Sequence, residues 1–347
     1  MEPEAVHEGL GAILGEHVGA PAVLSYGNPT VEARALATGA GVIHRLGRAT
    51  WRVTGNDRVS YLHRMLTQDV QGIEVGRARY ACLLDVRGRI LGDMLVLRHE
   101  DRHVLDLPTR AVPAVIPTLE RYVIADDVAL VDETASTSRF TLTGPGAPGV
   151  LEALDVKPPE PWGLCGAHVG GSSCRVLRRD LGPRPLFEVF APATGAREVL
   201  DALRAGAVLC GEEAFDVARA ETGVPASGAE LDDRVMPNEA LLEEALSWTK
   251  GCYPGQEPVV MARHRGHPAN LLVRLLFDAP TPPPAGAVLL KDGKPVGRVT
   301  TAVWGASVPG IVGMGYVRFG LSAPGTSLEL QGAGTARIQY GARLEIQ

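Results

Sequence analysis

Aromatic side chains are scarce in this chain of 347 residues, at 5% of positions, so its core must be built mainly from Leu, Val, Ala and Ile. Basic residues are not in excess. The formal net charge is −6, which argues against a general nucleic-acid binder, although a local basic patch is compatible with it. The cysteines (Cys82, Cys165, Cys174, Cys210 and Cys252) are scattered and odd in number, which argues against a disulfide scaffold. No segment reaches ~18 unbroken apolar residues, so no membrane span is expected. The opening MEPEAVHEGLGAILGEHVGA lacks a basic start and a long apolar run, so it does not read as a signal peptide. These absences lead to the expectation of a cytoplasmic protein without nucleic-acid or membrane partners. Walker, G-x-S-x-G and H-E-x-x-H motifs are also missing.

What is present is turn chemistry, with 41 Gly and 26 Pro, and a length that suggests two or three domains. ATWRVTGNDRVSYLHRMLTQDV reads as strand, turn and helix, with Val59, Leu62, Met65 and Leu66 on one helical face. ARYACLLDVRGRILGDMLVLR reads as a hairpin turning at Asp85 to Gly88. A strand at HVLDLPT, a helix at AVPAVIPTLERYVI and a strand at DDVALVDET follow. A second unit starts near Ser138 with another strand, turn and helix, then two strands around a Gly-Pro turn and a helix at GAREVLDALRAGA. GEEAFDVARAETGVP is a helix ending at Gly223, and EALLEEALSW reads as helical too. The clearest linker is FDAPTPPPAGAVLL, after the strand-like NLLVRLLF. Short strands with glycine turns fill the remainder, a small all-β module on an α+β body.

Several places look chemical. GPGAPG, from Gly144 to Gly149, fits G-x-G-x-x-G, but Pro145 and Pro148 remove N–H groups that would face a pyrophosphate, so it reads as an ordinary turn. His264 and His267 in HRGH form one pair, and Cys165, His168 and Cys174 lack regular zinc spacing, so no metal is expected. Asp93 is an acid inside an apolar strand; it either keeps its head in solvent or serves a pocket. Glu221 sits at a helix C-terminus, where negative charge opposes the dipole. Cys252 lies between Gly251 and Tyr253, two positions after Lys250, which could stabilise a thiolate. Nucleophile, transient ligand, redox contact and plain packing are all compatible with that thiol.

KGCYPGQE, from Lys250 to Glu257, resembles the signature of the YgfZ-type folate-binding proteins. These are relatives of the glycine cleavage T protein, an aminomethyltransferase, and include a mitochondrial iron–sulfur assembly factor. WRVTGNDRVSYLHRMLTQDV, LERYVIADDVALVD, ETGVPASGAELDDRVMPNEALL and DGKPVGRVTTA resemble further stretches, so the likeness runs from about Tyr26 to near the C-terminus. It implies an α+β, three-domain cloverleaf around a central folate channel, with a C-terminal β-barrel-like domain. The implied domains are 22–137 with 211–268, then 138–210, then 269–347. In GRILGD, Asp93 matches the second Asp of the T protein's GG-x-x-DD, which contacts folate and matters for catalysis; Gly92 replaces the first. Glu221 in AETG matches the T protein's folate-contacting glutamate. Lys250, Cys252, Tyr253, Gln256 and Glu257 are the matched signature positions. The resemblance places the thiol near the channel, with Lys250 lowering its pKa and Gln256 and Glu257 fixing the turn by hydrogen bonds.

The implied function is binding of tetrahydrofolate or a one-carbon derivative in support of iron–sulfur cluster assembly or repair. Iron–sulfur enzymes or assembly proteins are the implied partners. A folate-dependent aminomethyltransferase and a non-catalytic scaffold for cluster proteins are the alternatives. Asp93 and Glu221 favour the transferase; the signature favours the maintenance factor.

Overall fold

The hairpin read at residues 78–98 forms one edge of a five-stranded antiparallel sheet. A computed structural model of the chain describes residues 3–341 except 265 and 333. The strand order is Arg77–Leu84, Ile90–Arg98, His103–Pro108, Arg48–Thr54 and Ala129–Asp132. Period-two alternation explains the nearly unbroken apolar arms, because both faces are buried. Ala81, Leu83, Met94 and Val96 meet the helices Arg58–Met65 and Val112–Arg121 through Leu62, Val115 and Leu119. The other face, with Tyr80, Cys82, Leu95 and Leu97, meets Leu231, Leu242, Tyr253 and the barrel's Met314 and Tyr316. Gly92 lies on the helix side; a Cβ there would come within 2.5 Å of Val115. Close helix packing therefore excludes a larger residue at that position.

A six-stranded sheet forms the second body, in the order Leu164–Val169, Ser172–Arg178, Leu186–Pro192, Thr137–Thr143, Gly41–His44, Val208–Leu209. Gly41–His44 falls inside the expected first unit but pairs antiparallel with Thr137–Thr143, so the chain enters the second sheet before completing the first. The turn at GPGAPG is closed by the chain itself: the Gly146 N–H donates to Gly39 O at 2.8 Å. The third body is a closed six-stranded barrel running from Asn270–Asp278 to Thr335–Gly341. The proline-rich linker lies within this barrel, between Asn270–Asp278 and Val288–Lys291, rather than between bodies.

Two further elements differ from expectation. EALLEEALSW forms only the short 3-10 turn Glu243–Ala245. Leu241 takes φ 56, which interrupts a helix, while Leu242, Ala245 and Leu246 drop into the core under the hairpin. An unforeseen two-stranded hairpin, Ile13–His17 with Ala20–Ser25, stands at the N-terminal side and pairs only with itself. The helix Glu212–Thr222 ends at Gly223 (φ 74) as read, and packs against Ala20–Ser25, the helix Pro29–Thr38 and the barrel. No helix among the described residues is long and apolar enough to cross a membrane.

Candidate functional site

Asp93 stands directly across from Cys82 in the 78–98 hairpin, on the face turned away from the helices. It is 7% exposed. Tyr80 donates its hydroxyl to Asp93 Oδ2 at 2.9 Å, while Oδ1 is buried without a hydrogen-bond partner among the described residues. Burial first, and the Asp93 charge second, raise the Tyr80 pKa well above its usual value, so Tyr80 stays a donor. Asp93 and Tyr80 line an inner cavity of about 110 Å³ with Leu95, Phe215, Val224 and Pro225. An outer cavity of about 600 Å³ opens next to it, against Arg298–Val303 of the barrel and Pro282–Gly286.

Charged residues surround the inner cavity, and nearly all are neutralised in place. Arg45 pairs with Glu212 at 2.8 Å and lies over the Phe215 ring, 4.3 Å from its centroid. Arg48 pairs with Asp106 at 2.5 Å, and Arg139 joins Asp106 to Glu188. Burial alone would raise the Glu188 pKa, but Arg139 and Arg179 hold it at about 2. Asp216 is likewise held at about 2 against burial, by Arg219 and His17. Arg219 binds Asp216 and Glu230, each at 2.6 Å, and donates to Thr301 of the barrel at 2.9 Å. Among the described residues, Asp93 Oδ1 is a buried acceptor in this wall without a hydrogen-bond partner. Arg45, Arg48, Arg179, Arg219 and His17 carry no local sequence signal, because distant segments bring them together. Tyr80 alone was findable, two positions from the residue that faces Asp93.

Glu221, the other acid expected to contact folate, is placed away from Asp93. Its Oε1 accepts the N–H groups of Ala306, Ser307 and Val308 at 2.8, 2.6 and 3.1 Å. Its Oε2 accepts from Ser307 Oγ at 2.6 Å and Arg184 at 2.7 Å. Burial opposes ionisation, but the Ser307 and Arg184 hydrogen bonds prevail and lower the pKa. Glu221 lines neither cavity and clamps a barrel loop to the helix end.

The signature turn is also held differently from expectation. Lys250 donates to the carbonyls of His63, Leu66 (2.5 Å) and Gln68 (3.3 Å), at the C-terminus of Arg58–Met65. Burial lowers its pKa to about 8. It lies 5.0 Å from the Tyr253 ring centroid, so these two expected residues do meet. No Lys250–Cys252 pairing exists among the described residues: the ammonium caps a helix instead of serving the thiol. Cys252 is exposed and lines neither cavity. Tyr253 is buried beneath the 78–98 hairpin, near enough for Cys82 to help raise its pKa, after burial, to about 12. The Gln256 and Glu257 side chains make no hydrogen bond among the described residues. The turn is fixed by Gly255 (φ 76), where a Cβ would meet Asp85 O at 2.2 Å. The His264 side chain lies outside the described residues, and His267 stacks on Phe319 with centroids 4.1 Å apart. Among the described residues no three His, Cys, Asp or Glu side chains gather as a metal set.

Residues 4–250 match the GCVT N-terminal domain, and residues 271–342 match the glycine cleavage T-protein C-terminal barrel domain. The chain belongs to the glycine cleavage T-protein family. An aminomethyltransferase of Streptomyces avermitilis is 27% identical over 338 residues, covering 93% of this chain and 90% of that protein. The aminomethyltransferase of Bacillus subtilis is 25% identical, covering 86% and 85%. The crystal structure of the glycine cleavage system aminomethyltransferase T from Bartonella henselae superposes with a TM-score of 0.88 at 25% identity, over 97% of this chain and 95% of that one.

Proposed function

We propose that this protein binds tetrahydrofolate in the inner cavity and transfers a one-carbon unit, in the manner of an aminomethyltransferase. The observation that carries the reading is Asp93 in the cavity wall, with a buried Oδ1 that has no hydrogen-bond partner among the described residues. A carboxylate oxygen left without a donor in a buried place is costly, and a ligand N–H answers it. The pterin ring offers such N–H groups on a flat edge, and Phe215 and Leu95 offer apolar walls. Tyr80 holds the other carboxylate oxygen, so the free one keeps its aim. Aminomethyl transfer from a carrier thiol would form the methylene bridge between two folate nitrogens and release ammonia and the free thiol. Asp93 would orient the ring for that step. The aminomethyltransferase names of relatives matched over most of their length support the same chemistry.

Anaerobic calorimetry with tetrahydrofolate tests the binding. Asp93→Asn should lose roughly 1.5–3 kcal/mol of binding free energy, the range for a hydrogen bond to a charged group. Equal affinity in both proteins, or no binding by either, would sink the reading. Folate-dependent ammonia release from an aminomethyl-dihydrolipoyl carrier protein tests the transfer, and no release would exclude it.

One observation favours a second reading. Cys252 is exposed and outside both cavities, open to a partner protein rather than to the ligand. That supports a YgfZ-type role in iron–sulfur cluster assembly or repair. Cys252→Ala should then lower iron–sulfur enzyme activities in oxidatively stressed cells; unchanged activities would dismiss it.

A further inference from the structure

We infer that the tip of the N-terminal hairpin, His17 to Gly19, is a gate between the two cavities and that Val18 is the residue that closes it. The identity of the ligand rests on the folate reading above; the gate itself rests on the cavities, the strain of the turn, its one-sided anchoring and the space opposite it. Val18 lines both cavities, and Asp216 and Arg219 are shared with it. Asp93 lines the inner cavity, which has only about 110 Å³ of space, whereas ligand pockets usually need roughly 300–1,000 Å³. A ligand able to use Asp93 therefore needs the wall at Val18 to withdraw.

The tip is also strained. His17 pairs with Ala20, so Val18 and Gly19 form a two-residue turn, and both have positive φ, 50 and 74. Such a turn favours Asn-Gly or Asp-Gly; a β-branched residue at its first position is an outlier. Strain of this kind persists where the surroundings hold it, and it clusters at clamps and switches. The turn is held from one side. Ala20, Ala22, Val23 and Ser25 anchor the second strand, while Ile13–His17 is largely exposed. Among the described residues the tip's side-chain hydrogen bond is His17 Nε2 to Asp216 at 2.6 Å. Across the opening Gly228 leaves room for the Arg110 guanidinium and the valine: a Cβ there would strike Arg110 first and lie 2.5 Å from Val18 Cγ1. One broken ion pair thus releases a strained turn and joins the two cavities.

The test pairs two readouts on the full chain. Amide hydrogen exchange reads opening of residues 14–19 without any ligand, and anaerobic stopped-flow mixing with tetrahydrofolate reads association. His17→Ala should speed both by about tenfold, as loss of ~1.4 kcal/mol from the closed state requires. Val18→Gly, which suits positive φ, should speed association without speeding exchange, because it removes the obstruction and relaxes the turn. Faster exchange with unchanged association in both variants would overturn the gate. Unchanged exchange in His17→Ala would overturn it too, whether or not folate binds. Failure of tetrahydrofolate to bind the native protein would instead count against the folate reading, since the exchange experiment contains no folate.

Discussion

Lys250 and Cys252 stand two residues apart in one motif, yet the structure gives them separate tasks. The ammonium satisfies carbonyls that a helix end leaves without partners, and no thiol is involved. Lys250→Met should therefore cost about 1–3 kcal/mol in urea unfolding, the penalty of orphaned buried acceptors. Cys252→Ser, at an exposed position, should stay within about 0.5 kcal/mol of the native protein. Equal losses in both variants would tie the pair together after all. Asp93 was readable as unusual because an acid interrupts an apolar strand. That one of its oxygens lacks a donor was not readable, since the answer depends on Tyr80 and on the shape of the cavity.

At the scale of elements, the helix Glu212–Thr222 is the hub. Through Arg219 it grips Glu230 and Thr301, and through Glu221 it grips the loop at Ala306–Val308. The acid that looked misplaced at a helix C-terminus is answered by three backbone N–H groups and an arginine from other parts of the chain. Glu221→Ala should lower stability by about 3 kcal/mol, as removal of one partner from a buried charged pair does. Urea titration measures this. Calorimetry on the folded fraction should show tetrahydrofolate affinity unchanged; a matching loss of affinity would return Glu221 to the ligand site. The N-terminal hairpin was missed because its strand Ile13–His17 is mostly exposed and lacks alternation, and its partner strand is buried only by tertiary contact.

Across the whole molecule, buried ion pairs link the bodies, and pH acts on them. Glu188 and Asp216 titrate at about 2 in the folded protein, whereas their unfolded values lie near 4. In that window the unfolded chain binds more protons, so stability rises with pH. The contribution of these carboxylates is full above about pH 4.5 and is lost as pH falls toward about 2. Each carboxylate gives roughly 1.4 kcal/mol for every pH unit that separates its folded and unfolded pKa values. Urea midpoints measured from pH 6 to pH 2.5 should fall steeply only below about pH 4.5. Glu188→Gln should flatten that slope; an unchanged slope would mean that other groups govern acid unfolding.

The chain by itself determined what local physics controls. Periodicity and turn signals marked the hairpin at 78–98 and stretches, among them 111–124, 195–207 and 211–225, that contain the helices Val112–Arg121, Ala196–Arg204 and Glu212–Thr222, and glycine-turn strands marked a terminal β module. The wider relationship to the glycine cleavage T protein was legible in motifs distributed along the sequence. Tertiary structure decided the rest, because it depends on partners far apart in the chain. Gly41–His44 joined the second sheet because its pairing edge is offered by Thr137–Thr143. EALLEEALSW gave up its helical pattern because core burial of Leu242, Ala245 and Leu246 outweighs local propensity. Asp93 kept a free oxygen while Glu221 and Lys250 were saturated because hydrogen-bond satisfaction depends on which backbone groups arrive from elsewhere.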